Sequence, residues 1–201
     1  MNLLQKMIDD PDMEFINTQV QSAVKANDIK ALRACIFMSR EVPHFDLNGE
    51  DEDGITGLTQ ACIEGNTEMV QLLLDAGCPA QPPPGFRHTP LRGATVCGNA
   101  HLIPLLLEAG ADPNALSDGN RTPLMGACFL RSGVDESKSV ECVRALLADD
   151  RTDPTLRNTF GESALDLANI RGYAESVELV EKALEEWSRK EKKSDDGQQK
   201  E

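Results

Sequence analysis

Three short phrases recur at one fixed distance: ITGL at 55–58, HTPL at 88–91 and RTPL at 121–124 set Thr56, Thr89 and Thr122 in steps of 33 residues. This period constrains the fold more than any other feature of the chain. A unit of that size exposes apolar surface on two sides, cannot bury both alone, and must stack on copies of itself.

Each repeated letter has a mechanical reason. Thr89 and Thr122 each precede a Pro and then an apolar run, the arrangement of an N-cap hydroxyl followed by Pro at the first helical position, where its missing N–H is harmless. Gly65, Gly98 and Gly172 fall nine residues after Thr56, Thr89 and Ser163, where glycine can take the left-handed conformation that ends a helix. The stretches NTEMVQLLLDAG, NAHLIPLLLEAG and YAESVELVEKAL then space apolar residues by three and four, which predicts a second, amphipathic helix. Gly77 and Gly110 close it. The following ADPNALSDGNR predicts an extended turn or hairpin. One unit therefore reads turn, short helix, longer helix, with Leu73, Leu74, Leu106, Leu107, Leu146 and Leu147 on its buried phase.

These units resemble the ankyrin repeat, through ITGLTQACIEGNTEMVQLLLDAGCPAQ, HTPLRGATVCGNAHLIPLLLEAGADPNA, RTPLMGACFL with VECVRALLADDRTDPT, and ESALDLANIRGYAESVELV. The resemblance implies an all-α helix-turn-helix solenoid with short β-hairpin turns and about five repeats. These fall near 13–48, 51–83, 84–116, 117–157 and 158–187, between a lead at 1–12 and a disordered charged tail at 188–201. The first repeat is a diverged cap in which Asn27-Asp28 takes the place of Gly-Asn. Three departures stand out. The His that follows Leu in the family is replaced by Thr59, Arg92, Met125 and Asp166. Pro104 interrupts a second helix where its ring would meet the carbonyl of Ala100, so a local kink is expected. Thr122 and Ser163 stand 41 residues apart, so the unit between them carries an insertion, mostly before Val143.

Composition narrows the function. Hydrophobic residues make up 40% of the 201 but aromatics only 4%, so the interior must be built from Leu, Ala, Val, Ile and Cys in closely spaced helices. A net charge of −14 disfavours nucleic acid, because tracking phosphates needs Lys and Arg that carboxylates here outnumber. The same charge favours a protein partner with a basic surface. No run approaches the roughly 20 apolar residues of a membrane span. The N-terminal MNLLQKMIDDPDMEF lacks the form of a secretory or mitochondrial leader. The chain reads as a cytoplasmic monomer, with RKEKK at 189–193 the one candidate for nuclear import.

The cysteines, the acidic loop and the histidines are the groups that could carry chemistry. Cys35, Cys62, Cys78, Cys97, Cys128 and Cys142 contain no C-x-x-C pair, and read as reduced thiols packed as small hydrophobes, with a disulfide framework or a catalytic thiol as the alternatives. Asp46, Asn48 and Glu50 begin like a calcium loop, but Asp51 stands where Gly is needed and Gly57 where the bidentate Glu belongs. His44, His88 and His101 have no zinc spacing, and no phosphate-binding or nucleophile-elbow glycine motif occurs. No enzyme, cofactor or metal is expected.

The resemblance implies instead a concave face of turn tips and first helices that binds another protein. Carried over position by position, it gives Glu52, Asp53 and Ile55, then Phe86 and His88, Asp118 and Arg121, and Phe160 and Glu162 on the turns. On the first helices it gives Ile63, Val96, Phe129, Leu130, Ile170 and Arg171. The partner-binding set is Asp53, Phe86, His88, Arg92, Asp118, Arg121, Phe129 and Phe160, since aromatic and Arg anchors are enriched among binding hot spots. The alternative is that Phe129 or Ile170 packs on the next repeat. The function expected is an adaptor or stoichiometric inhibitor; the alternatives are a regulatory subunit and a thiol-dependent redox protein. The resemblance also makes Asn114, in a D-x-N turn, a candidate for asparaginyl hydroxylation, although Pro113 departs from the usual neighbour.

Overall fold

The computed structural model describes residues 13–42, 45–83 and 86–198. The lead at 1–12 and His44 lie outside the described residues. The first pair of helices is α1, Met13–Lys25, and α2, Ile29–Glu41. The second pair is α3, Gly57–Glu64, and α4, Thr67–Asp75. In the third, α5, Pro90–Val96, is followed by a 3-10 turn, Ala100–Leu102, and α6, Ile103–Glu108. Then come α7, Pro123–Cys128, with α8, Ser137–Leu147, and α9, Ala164–Arg171, with α10, Ala174–Gln198.

The starts of the short helices follow one rule. The hydroxyls of Thr56, Thr89, Thr122 and Ser163 each accept the amide N–H three residues on, at 3.2 Å in all four. Pro90 and Pro123 then occupy the first turn, where no donor is missed. At the far end Gly65 and Gly172 cap their helices in the left-handed conformation. Asn27 takes that conformation in the first repeat, φ 52°, which Asn tolerates better than most residues.

The first helices of the units, α1, α3, α5, α7 and α9, pack in sequence order as an inner row, and each leans on its own second helix in the outer row. A continuous core runs through the stack from Val20 to Val180. Polar side chains join the layers where helices end. Asn99 Nδ2 donates to the carbonyls of Cys62 and Ile63, both at 2.9 Å, satisfying groups that α3 leaves without partners. Ser139 Oγ donates to the Ala127 carbonyl at 2.7 Å and lies 2.8 Å from Ser176 Oγ, so one buried hydroxyl pair links three helices.

The hairpins are minimal. Among the described residues each is one antiparallel bridge: Glu50 with Thr56, Ser117 with Arg121, and Arg157 with Ser163. Adjacent tips join through the backbone, where Asp118 N–H donates to the Arg87 carbonyl and Thr159 N–H to the Gly119 carbonyl, both at 3.0 Å. The expected kink lies at Pro104, where the turn before it tightens to 3-10 geometry and the Pro opens α6 rather than interrupting it. The insertion forms the loop between Phe129 and Glu136.

Two expectations need correction. Of the six phase leucines, Leu73, Leu106 and Leu146 are fully buried, but Leu74, Leu107 and Leu147 are only partly so. The second residue of each pair lies about 100° further round the helix, at the edge of the apolar stripe. The stretch after Trp187 was expected to be a solvated tail, yet α10 continues to Gln198. Residues of good helix propensity and the Arg189–Glu185 pair at 3.1 Å extend a helix that packing has already nucleated, and Lys190 reaches Asp150 at 2.6 Å. No helix among the described residues is long and apolar enough to cross a membrane.

Candidate docking groove

Stacking leaves a hollow between the third, fourth and fifth units, a groove of about 410 Å³. The floor comes from α5, α7 and α9, which supply Arg92 and Val96, Met125 and Gly126, and Leu167 and Ile170. Phe129, just past α7, forms part of the wall, and the hairpin tips contribute Arg121, Phe160 and Glu162. Three of its residues are large apolar side chains left in water: Phe129 at 43% exposure, Ile170 at 63% and Phe160 at 75%. Folding alone gives no reason for such a cluster beside a complete core.

Gly126 sets the depth of the groove. A Cβ there would come within 2.7 Å of Thr95 Oγ1 and 3.0 Å of Val96 Cγ1, so its absence lets α7 approach α5 closely. The Phe129 ring is held in place by Arg171, whose guanidinium carbon lies 4.9 Å from the ring centroid while Nη2 donates to the Leu130 carbonyl at 3.2 Å. Phe129 thus packs on Arg171 of the next unit while 43% of it stays exposed on the groove wall.

Arg92 occupies the position where the family carries His. Its Nε is buried and has no hydrogen-bond partner among the described residues. Burial first, and then the charge of Arg121, lowers its affinity for the proton, with Asp118 partly offsetting them. Neither Arg92 nor Arg121 is within salt-bridge distance of a carboxylate among the described residues. Glu162 shares the rim, but its Oε2 accepts from Asn158 Nδ2 at 2.8 Å. A chain that is acidic overall thus presents two unpaired cations here, a local reversal that net charge cannot disclose.

The groove gathers Arg92, Arg121, Phe129 and Phe160 from the set read in the sequence. The others lie elsewhere. Phe86 is partly buried and lines a separate hollow with Pro79, Pro82 and Pro90. Burial, then the charges of Arg92 and Arg87, pull the His88 pKa down, with Asp118 and Glu50 partly opposing them. Asp53 and Asp118 are exposed on hairpins, outside the groove lining. Leu130, assigned to the surface of a first helix, is buried: α7 ends at Cys128 and the inserted loop turns this side chain inward. The sequence carries no signal for the contribution of Met125 and Gly126, which are themselves buried and reach the groove lining only through the packing of neighbouring units.

The remaining chemistry points away from reactivity. Burial raises every cysteine pKa, to about 12 for Cys78, Cys128 and Cys142. Cys97 is partly exposed and hydrogen-bonded with Arg131, yet burial still outweighs that contact and keeps its pKa raised. In the acidic loop, Asp51 Oδ1 accepts from the N–H groups of Asp53 and Ile55, so this carboxylate organises the turn. Asn114 uses both ends of its amide to reach the next unit: Nδ2 donates to the Arg151 carbonyl at 2.7 Å, and Oδ1 accepts from Asp153 N–H at 2.8 Å.

Residues 20–117 match a family model described as ankyrin repeats, three copies. A search of the curated proteins finds no match.

Proposed function

The chain is a member of the ankyrin-repeat family, whose repeats generally mediate protein–protein interactions, and on that premise we propose that it is a non-catalytic docking module. Its partner protein sits in the groove between the third, fourth and fifth units. The observation that carries this reading is the cluster of Phe129, Phe160 and Ile170, exposed beside a core that is already complete. Bulky apolar groups around a cleft are the usual anchors of a protein interface. Adaptor and stoichiometric inhibitor are both uses of such a surface.

The competing thiol-redox reading needs a cysteine whose thiolate forms readily, and all six thiols are shifted the other way. Affinity capture from native lysate compares the wild type with Phe160→Ala, Arg121→Ala and, as an outer-row control, Glu178→Ala. Partners retained by the wild type and the control but lost with the two groove variants, at unchanged melting temperature, support the proposal. Equal capture by all four removes it.

A further inference from the structure

The groove combines large apolar side chains with two cations, Arg92 on its floor and Arg121 at a hairpin tip, and that combination selects an occupant. Arg92 Nε is buried with no hydrogen-bond partner among the described residues. Arg121 lies close enough to depress Arg92's hold on its proton. A guanidinium nitrogen buried without an acceptor is a standing cost, and a second cation beside the group adds to that cost until an anion arrives. Asp118 offsets these two effects only in part, and the Glu162 carboxylate, which lines the groove, accepts from Asn158 Nδ2. Both cations therefore remain without a carboxylate while Phe129, Phe160 and Ile170 stand around them in water.

We propose that the occupant is an extended segment of the partner protein that places an Asp or Glu carboxylate on Arg92 and Arg121 and an adjacent large apolar side chain against Phe129, Phe160 and Ile170. This rests on the docking function proposed above and narrows it. A guanidinium presents a planar fork of donors that a carboxylate matches in two parallel bonds, and pairing inside a partly dry cleft is stronger than at an open surface. The volume of about 410 Å³ falls within the ~300–1,000 Å³ of clefts that take a few side chains. A basic segment, the partner suggested by the net charge of −14, would bring a third cation to two that already repel. Beyond about 8 Å physiological salt screens much of the surrounding acidity, so local pairing decides the fit.

The test is selection of random displayed peptides on the full chain, followed by titration of the recovered peptides against the wild type, Arg92→Met and Arg121→Gln. Met keeps the buried stem of residue 92 and removes the unpaired donor, so that variant should melt at or above the wild-type temperature. Arg121 is exposed, and its variant carries the test alone if the first folds poorly. The expected result is peptides with Asp or Glu next to Phe, Leu, Ile or Trp, whose affinity falls about tenfold or more in either variant and declines as salt rises. Recovered peptides rich in Lys or Arg, equal affinity for the variants, or no enrichment would each overturn the inference. So would sedimentation showing a dimer of this chain that Phe160→Glu dissociates, since a second copy would then fill the groove. Basic peptides that still compete at Phe160 would sink this inference and leave the docking function standing; loss of all partner dependence on Phe160 and Arg121 would remove both.

Discussion

Leu146 and Leu147 are adjacent, both apolar, and differently placed: the first is fully buried and the second only partly. Leu146→Ala should cost about 2–5 kcal/mol, because the cavity opens inside a core that two neighbouring units share. Leu147→Ala should cost less than about 2 kcal/mol. Urea unfolding of both variants checks the order. The Asp166 carboxylate accepts from the Ser163 backbone N–H at 2.8 Å and its hydroxyl at 2.7 Å, with Arg157 at 3.2 Å. These bonds, the backbone one first, hold its pKa below the ordinary 3.8. The folded state then binds its proton less readily than the unfolded one. The contribution is complete at neutral pH and is lost as pH falls from near 4 through the lower folded value. Asp166→Asn should therefore flatten the acid side of a stability-against-pH curve relative to wild type. The caps behind such bonds were legible as letters, since Thr, Ser and Gly do local work at fixed spacing. The unpaired state of Arg92 was not, because it depends on which side chains other units bring near it.

The helices show where periodicity suffices and where it stops. A three-and-four spacing located each second helix, and Pro104 marked its own irregularity because its missing donor and bulky ring act within one turn. The end of α10 departs from the expected disordered tail, since a helix already anchored through Val177 and Val180 can run on as an exposed extension. Its pairs there, Arg189–Glu185 and Lys190–Asp150, are largely exposed. Such pairs contribute about 0–1 kcal/mol. A chain ending after Trp187 should accordingly lose less than about 1 kcal/mol in urea unfolding, with the helical signal falling by the missing residues alone. By contrast Gly126→Ala forces Thr95 and Val96 to move. It should cost about 1–3 kcal/mol by overpacking and push α7 away from α5.

For the molecule as a whole, a shared core between successive units leaves two kinds of surface, the charged outer row and an inner row interrupted by the groove. Repetition revealed the stack directly from the sequence, because the same spacing must solve the same burial problem in each unit. It did not reveal the cleft, which arises where units differ: Arg92 in place of the usual His, and an insertion that ends α7 at Cys128 and leaves Phe129 projecting beyond it. Net charge misled in the same way, as a sum over the chain says nothing about two guanidinium groups in one hollow. The most direct measurement is amide hydrogen exchange of the full chain, alone and bound to a partner recovered by affinity capture. Docking at the groove requires new protection in 89–97, 121–130 and 158–171, with α4 and α8 unchanged. Protection confined to the outer row or to the first two units would contradict it.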